Sequence, residues 1–280
     1  MSMSKITALD EVKKLIPERK ENAHKGDFGR VVIFAGSRRY TGAAYFCAQA
    51  AVRAGSGLVT LVTQEEVVDI LASKLNEAMV VSQNSPIVFE LLEKADVIAF
   101  GCGMENRDDT KRLLERILEI KELLIVLDAD GINVLAGEAE KLRGRKNILL
   151  TPHEMEFARL IGEDVQKISS DREGTATRFA KEYGVNILLK GKNTIIASPE
   201  DYRINPTGSS KMASGGMGDA LTGIIASLAG QGLSIYQAGY SGAFIHGYAA
   251  DEKGKNMYSV TASDVIEFLP YAIYDIAQKP

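Results

Sequence analysis

The stretch "RVVIFAGSRRYTGAAYFCAQAAVRAGSGLVTLVT", residues 30–63, holds the unit from which the fold follows. It opens with a short apolar run, "RVVIFAG", closed by Gly36. A run of that length bounded by glycine reads as a buried strand. "GAAYFCAQAAVRAG" (42–55) is rich in alanine and long enough for several helical turns, so it reads as a helix. "LVTLVT" (58–63) returns to strand. A strand, a helix and a second strand, each strand apolar on both faces, predict a parallel pair covered on both sides.

The same alternation extends along the chain. "EEVVDILASKL" (65–75), "DDTKRLLERILEIK" (108–121) and "EMEFARLIG" (154–162) read as helices, as do 171–184, 218–230, 234–252 and 262–277. "ADVIAFG" (95–101), "LLIVLDAD" (123–130) and "NILLTPH" (147–153) read as strands. "VNILLKG" (185–191) and "NTIIASP" (193–199) read as a hairpin or as adjacent strands. The expected class is α/β, with a mostly parallel central sheet flanked by helices on both faces. No linker, repeat or low-complexity tract divides the chain, so a single domain over 1–280 is expected.

Composition narrows the function classes. Hydrophobic residues make up 45% and charged residues 25% of 280, enough for a sizeable core. The net charge of −4, with both signs mixed along the chain, argues against nucleic acid or membrane as a general partner. Two cysteines, Cys47 and Cys102, lack metal-ligand spacing and suggest a reducing compartment. The N-terminal segment has no signal-peptide apolar core, and no run reaches the roughly 18 apolar residues of a membrane span. A cytoplasmic protein is expected.

Ligands of open parallel sheets sit beyond the carboxyl ends of the strands. "AGS" (35–37), "GCG" (101–103), "DAD" (128–130), "TPHEME" (151–156) and "KGKNT" (190–194) all fall at such ends, which places them on one cleft. A further motif, "MASGGMGDALTG" (212–223), puts one acid among glycines at the mouth of a helix. Free amides of Gly216, Met217 and Gly218 there would hold a phosphate. Asp219 beside them would act as a base toward an attacking hydroxyl, which points to phosphoryl transfer to an alcohol. The plainer alternative is a tight loop followed by a favourable first-turn acid. No Walker A loop and no G-x-G-x-x-G after the first strand are present.

The G-G-x-G-D turn resembles the anion hole and base of the ribokinase-like superfamily. "HKGDFGRVVIFAGS" (24–37), "GAA" (42–44), "GCG", "DADGIN" (128–133), "TPHEMEFARL" (151–160), "LKGKNT" (189–194), "NPTG" (205–208) and "ASGGMGDALTG" (213–223) follow the order seen in one branch. That branch is the ADP- or ATP-dependent NAD(P)H-hydrate dehydratases, and the resemblance runs from about His24 to the end. It implies repair of hydrated NADH or NADPH. The nucleotide's terminal phosphoryl would pass to the C6 hydroxyl of the ring, and phosphate would then leave.

By that resemblance Asp219 is the base and Gly216, Met217 and Gly218 form the anion hole. Ala43, Gly103 and His153, with Asp219, would contact the hydrated dinucleotide. His153 also suits a capping or packing role at a strand end. Lys190, Gly191, Lys192, Asn193, Thr194 and Gly218 would bind ADP or ATP, with Lys190 facing phosphate and Lys192 equally suited to a solvated turn. Mg²⁺ is implied as cofactor, approached through water by Glu156 and by Asn133. Asp128 is a further candidate, and a cap or strand-end hydrogen bond serves equally for Asn133 and Asp128. His24 and Lys25 match the family's "HKG" entry segment. His246 reads as core on its apolar helix, Cys47 as packing, and Cys102 is given no chemistry.

The resemblance further implies a homo-oligomer, a tetramer. Its short N-terminal segment implies no fused epimerase domain, and so a separate NAD(P)HX epimerase as working partner. The sequence departs from the family at Glu154 and Met155, where proline and glycine are usual, at Met217 inside the anion hole, and in "SSKMAS" (209–214). Two rival readings share the glycine turn: a kinase of a vitamin alcohol of hydroxyethylthiazole or pyridoxal type, and a nucleotide sensor without turnover.

Overall fold

A computed structural model of the chain describes residues 5–279. One sheet of nine strands runs through it. The strands are β1 (Arg30–Phe34), β2 (Leu58–Thr63), β3 (Met79–Ser82), β4 (Val97–Phe100), β5 (Leu124–Leu127), β6 (Ile148–Leu150), β7 (Asn186–Leu189), β8 (Ile195–Ala197) and β9 (Tyr202–Ile204). Their order is β3-β2-β1-β4-β5-β6-β7-β8-β9. Neighbours from β3 through β7 pair in parallel, while β7–β8 and β8–β9 pair antiparallel. The expected hairpin is therefore β7–β8.

The strands are buried on both faces, as their unbroken apolar runs require. Val31 and Ile33 belong to one core cluster, and Val32 and Phe34 to the other. The first cluster lies under the helices Thr41–Arg53, Met217–Gly230, Ile235–Lys253 and Ala262–Gln278. The second lies under Asp108–Leu118, Glu154–Ile161 and Arg172–Tyr183.

β3 and β9 are not among the strands expected from sequence. Both occupy sheet edges, and neither is fully covered: β3 is half-exposed and β9 of intermediate burial throughout. Edge strands need no continuous apolar run, so their sequences carry a weak signal. The expected helix at 65–75 also divides, into a 3₁₀ turn Glu65–Val67 and a short helix Val68–Ala72.

Chain direction fixes where a ligand fits. From β1 the chain steps outward to β2 and β3, then returns to β4 on the other side of β1. That reversal is the switch point of the sheet, where a crevice opens beyond the carboxyl ends of β1 and β4. The two turns there are tied together: Gly36 N donates to Cys102 O at 2.9 Å.

Close helix packing brings the glycine-rich turn over the same crevice. Thr41–Arg53 buries Ala44, Cys47, Ala48, Ala50 and Ala51. Met217–Gly230 approaches so closely that a Cβ on Gly223 would lie 2.1 Å from Cys47 O. Small side chains on both partners permit this approach, which larger ones would block.

Candidate active site

The helix Met217–Gly230 begins at Gly216, whose φ of +89° suits glycine, and a Cβ there would stand 2.5 Å from the Phe46 ring. No side chain caps this end. Its first N–H groups therefore lack intrahelical partners and face the crevice with the positive end of the helix dipole. Asp219 sits in this first turn, half-buried.

Three strand-end elements surround it. Asp128, one residue past β5, is fully buried. Its Oδ1 accepts from Lys190 Nζ at 2.7 Å and its Oδ2 from Thr222 Oγ1 at 2.8 Å. Cys102 Sγ lies 3.6 Å from the same Oδ2. One donor atom each from Cys102, Asp128 and Asp219 falls within 4.8 Å of the others. Gly218 borders this group, with the position of a Cβ 3.4 Å from Lys190 Nζ and 3.9 Å from Asp128 Oδ2.

The two carboxylates titrate in opposite directions. Burial and then the neighbouring charge of Asp128 push the Asp219 carboxyl up to about 6, against smaller opposing effects of Cys102 and Lys190. Burial alone would raise Asp128 as well. The Lys190 ammonium and hydrogen bonds from Lys190, Thr222 and Thr151 outweigh that and hold it below its usual value. Burial acts to lower Lys190, but Asp128 and then Glu156 outweigh it and keep the ammonium charged. The Cys102 thiol is raised by a hydrogen bond with Cys47 and by burial. It stays protonated near neutrality and is a poor nucleophile.

His153 takes the capping role. Its Nδ1 accepts from Met155 N at 3.1 Å and Glu156 N at 3.3 Å, while Glu156 Oε2 accepts from His153 N at 2.9 Å. This reciprocal box opens the helix Glu154–Ile161. The ring is half-exposed, its Nε2 3.4 Å from Glu156 Oε1. Gly103 and Ala43 come together across the crevice: a Cβ at Gly103, where φ is +64°, would lie 3.0 Å from Ala43 Cβ.

The segment 190–194 lines a cavity of about 710 Å³ together with Asn205, Thr207, Met217, Gly218 and Leu221. All the residues expected to bind nucleotide thus border one cavity, and Lys190 and Gly218 connect it to the acids. Met217, the departure inside the anion hole, is buried and lends its side chain to this wall.

The two expected metal residues part company. Asn133 Oδ1 accepts from Arg159 Nη1 at 3.3 Å and Asn133 Nδ2 faces Asp130 Oδ1 at 3.4 Å, so its oxygen is engaged by a guanidinium. That environment does not suit a cation. Glu156 is buried, its Oε2 3.8 Å from Lys190 Nζ and its Oε1 3.4 Å from His153 Nε2. A carboxylate oxygen is the kind of donor a hydrated divalent ion takes. The Cys102–Asp128–Asp219 group is no magnesium site, because a protonated thiol is a poor ligand for a hard cation and Asp128 is already bonded.

Sequence reasoning missed Arg172. Its guanidinium donates to Lys192 O at 2.6 Å, Leu189 O at 3.2 Å and Lys190 O at 3.0 Å, and lies 2.9 Å from Glu154. It pins the loop 190–194 to the neighbouring helix, and Glu154, a departure from the family pattern, is its counterion. Local sequence holds no signal for this, because the carbonyls it binds lie about one helix and one strand away. Backbone strain also gathers here. The non-glycine residues of positive φ among those described are Glu105, Ala129 and Asn193, in the loops that follow β4, β5 and β7. Such conformations cost about 1–3 kcal/mol each and persist where surrounding contacts impose them.

Comparison with known proteins bears on this geometry. The family model described as NAD(P)H-hydrate dehydratase matches residues 31–271. A bifunctional NAD(P)H-hydrate repair enzyme of Moorella thermoacetica is 39% identical over 279 residues, covering 94% of this chain and 53% of that protein. The ADP-dependent (S)-NAD(P)H-hydrate dehydratase of Neisseria meningitidis is 36% identical over 241 residues, covering 83% of this chain and 80% of that one. The ADP/ATP-dependent NAD(P)H-hydrate dehydratase of Bacillus subtilis, co-crystallised with ATP/Mg²⁺, superposes with a TM-score of 0.84 at 26% identity, covering 99% of this chain and 100% of that one. The chain spans about half the length of the bifunctional relatives it matches.

Proposed function

Because this chain belongs to the NAD(P)H-hydrate dehydratase family, we propose that it uses ADP or ATP to dehydrate hydrated NADH or NADPH. One observation carries the reading. A carboxylate raised to about 6 stands in the first turn of an uncapped helix, and Lys190 and Gly218 join that turn to a cavity of nucleotide size.

The chemistry follows from those groups. The nucleotide lies in the cavity with its terminal phosphoryl toward the amides of Gly216, Met217 and Gly218. The dinucleotide's ring lies over Ala43 and Gly103, where the absent side chain lets it reach the backbone. Asp219, ionised at neutral pH yet basic for a carboxylate, accepts the proton of the C6 hydroxyl as that oxygen attacks phosphorus. The bond from phosphorus to the departing nucleotide oxygen breaks. Lys190 and the helix amides stabilise the charge on the transferring group. The carbon–oxygen bond to phosphate then breaks with help from the ring nitrogen, and loss of a proton from the adjacent carbon restores the double bond. Phosphate departs where hydroxide would not.

Magnesium would neutralise the nucleotide phosphates, and Glu156 would be the residue to meet it through water. The His153 ring, fixed by its capping bonds, leaves only its Nε2 side for substrate. An epimerase acting on the same hydrated dinucleotides is the partner activity this reading expects, and the relatives named bifunctional NAD(P)H-hydrate repair enzymes are about twice the length of the matched region.

The test is a reaction of the purified chain with hydrated NADH, Mg²⁺ and ADP or ATP. Return of the reduced-nicotinamide absorbance is expected. A stable phosphorylated vitamin alcohol with no nicotinamide recovery would replace this reading with the kinase one. Nucleotide binding without any turnover would replace it with the sensor.

A further inference from the structure

The loop leading into the glycine turn is fastened along the helix Ile235–Lys253 and the segment that follows it. Asn205 Nδ2 donates to Ala243 O at 3.1 Å, Thr207 Oγ1 lies 3.0 Å from Phe244 O, and Gly208 N donates to Asp251 Oδ2 at 2.8 Å. Next comes Lys211, inside the 3₁₀ turn Ser210–Met212. Its Nζ donates to Gly254 O at 2.7 Å, and its own carbonyl accepts from Val260 N at 2.9 Å. Ser214 Oγ donates to Val260 O at 3.2 Å.

Lys211 therefore clasps both ends of the segment 254–260. Gly254 and Val260 are buried, while the residues between them are exposed or half-buried. Gly254 caps the helix Ile235–Lys253. The last carbonyls of a helix lack intrahelical partners and carry the negative end of its dipole, which suits an ammonium. Lys211 belongs to "SSKMAS", a stretch where the sequence departs from the family.

The clasp bears on one amide above all. Met217 and Gly218 lie within the helix Met217–Gly230, whose backbone geometry sets the direction of their N–H groups. Gly216 stands ahead of that helix with φ at +89°, and a Cβ on the exposed Gly215 would meet nothing within 4 Å. Two successive glycines leave the peptide between them free to turn. Upstream, Lys211 and Ser214 hold the chain to 254–260. On the other side, a Cβ at Gly216 would lie 3.1 Å from Ala262 Cβ. We infer that Lys211 is a positioning residue for the anion hole: by clasping Gly254 and Val260 it fixes the loop that aims the Gly216 amide at the transferring phosphoryl group. This rests on the reading of the turn as an anion hole. Lys211 does not line the cavity and takes no part in the chemical step.

The experiment compares wild type with Lys211→Met, which keeps the stem and removes the ammonium, and Lys211→Arg, which restores a charged donor. It reads kcat and nucleotide KM in the dehydration of hydrated NADH, the dissociation constant of ADP by calorimetry, and amide hydrogen exchange across 209–217 in the unliganded chain. An anion-hole donor acts most on the transition state, and losing one outright costs roughly 10²–10³ in kcat. Lys211→Met misdirects the donor without removing it, so kcat should fall about tenfold. Nucleotide KM and ADP affinity should stay within about twofold, because ground-state binding is kept. Exchange across 213–217 should quicken as the loop opens more often. Lys211→Arg should recover most of the lost kcat. Ser214→Ala cuts the neighbouring tie and should shift kcat the same way by less, which keeps the test open where Lys211→Met does not fold. Unchanged kcat in Lys211→Met overturns the proposal. So does a loss shared equally by kcat and ADP affinity, and so does a loss that Lys211→Arg leaves unrepaired. A wild type without turnover on hydrated NADH strikes the function reading instead. The clasp is then judged by exchange alone, and unchanged protection across 209–217 in Lys211→Met overturns it.

Discussion

Asp128, at the end of β5, and Asp219, at the mouth of the helix Met217–Gly230, lie within one small cluster and yet serve opposite ends. The strand-end acid is saturated: a lysine, a threonine and a thiol address its oxygens. The helix-mouth acid faces the crevice, with burial and a like charge pressing a proton onto it. Environment, not residue type, makes one a fixed counterion and gives the other the raised proton affinity that the proposed base requires. Asp128 holds Lys190 charged and in place, and its own charge raises Asp219.

The comparison breaks most sharply at Asp219. Asp219→Asn keeps the shape and removes the base, so turnover should fall about 10²–10⁴-fold with nucleotide affinity retained. The same change should raise thermal stability. A carboxyl whose folded pKa exceeds its unfolded value loses stability as pH rises from about 4 to 6, and the deficit persists at pH 7. Removing the charge should return about 1–3 kcal/mol, read as a higher melting temperature at pH 7 and no gain at pH 3. Unchanged turnover would end the assignment of Asp219 as base. In the wild type, kcat/KM should fall on the acid side with an inflection near 6 as Asp219 takes up its proton.

At Asp128 the expected damage is to the fold as much as to the chemistry. Asp128→Ala strands the partly buried Lys190 ammonium and should cost about 2–4 kcal/mol in denaturant unfolding. A variant as stable as wild type would show that the pair is dispensable. Thr222→Val removes one buried donor to Asp128 and should cost about 1–2 kcal/mol, with a smaller loss of activity. Arg172→Ala lies outside the acid pair and should show the smallest effect. The loop 190–194 loses its tether, and the nucleotide KM should rise roughly threefold to tenfold with kcat little changed.

The sheet, the helices beneath its two cores and the line of strand-end motifs were legible in sequence because their signals are local. Apolar runs of strand length, alanine-rich helical stretches and glycines at turns can each be read within a few residues. The edge strands β3 and β9 were not, since a half-covered strand needs no apolar pattern. In the site, the glycine turn, Asp219, Lys190 and Glu156 are recognisable by motif. Asn133 matched a motif as well, yet its oxygen is turned to Arg159, a partner supplied by the next helix. Arg172 had no legible role, because the carbonyls it binds belong to a distant segment, whereas His246 read as core and is buried.

Sequence alone determined the kind of molecule: strands and helices in alternation, a glycine-rich turn with its acid, and the order of motifs that marks the family. Only the folded chain decided how the acids differ, which lysine meets which carboxylate, and which histidine caps a helix. The reason is range. Backbone geometry and periodicity act over a few residues, whereas burial and charge act through space, and Asp128, Lys190 and Thr222 become neighbours only when the sheet brings their strand ends together beneath the helix.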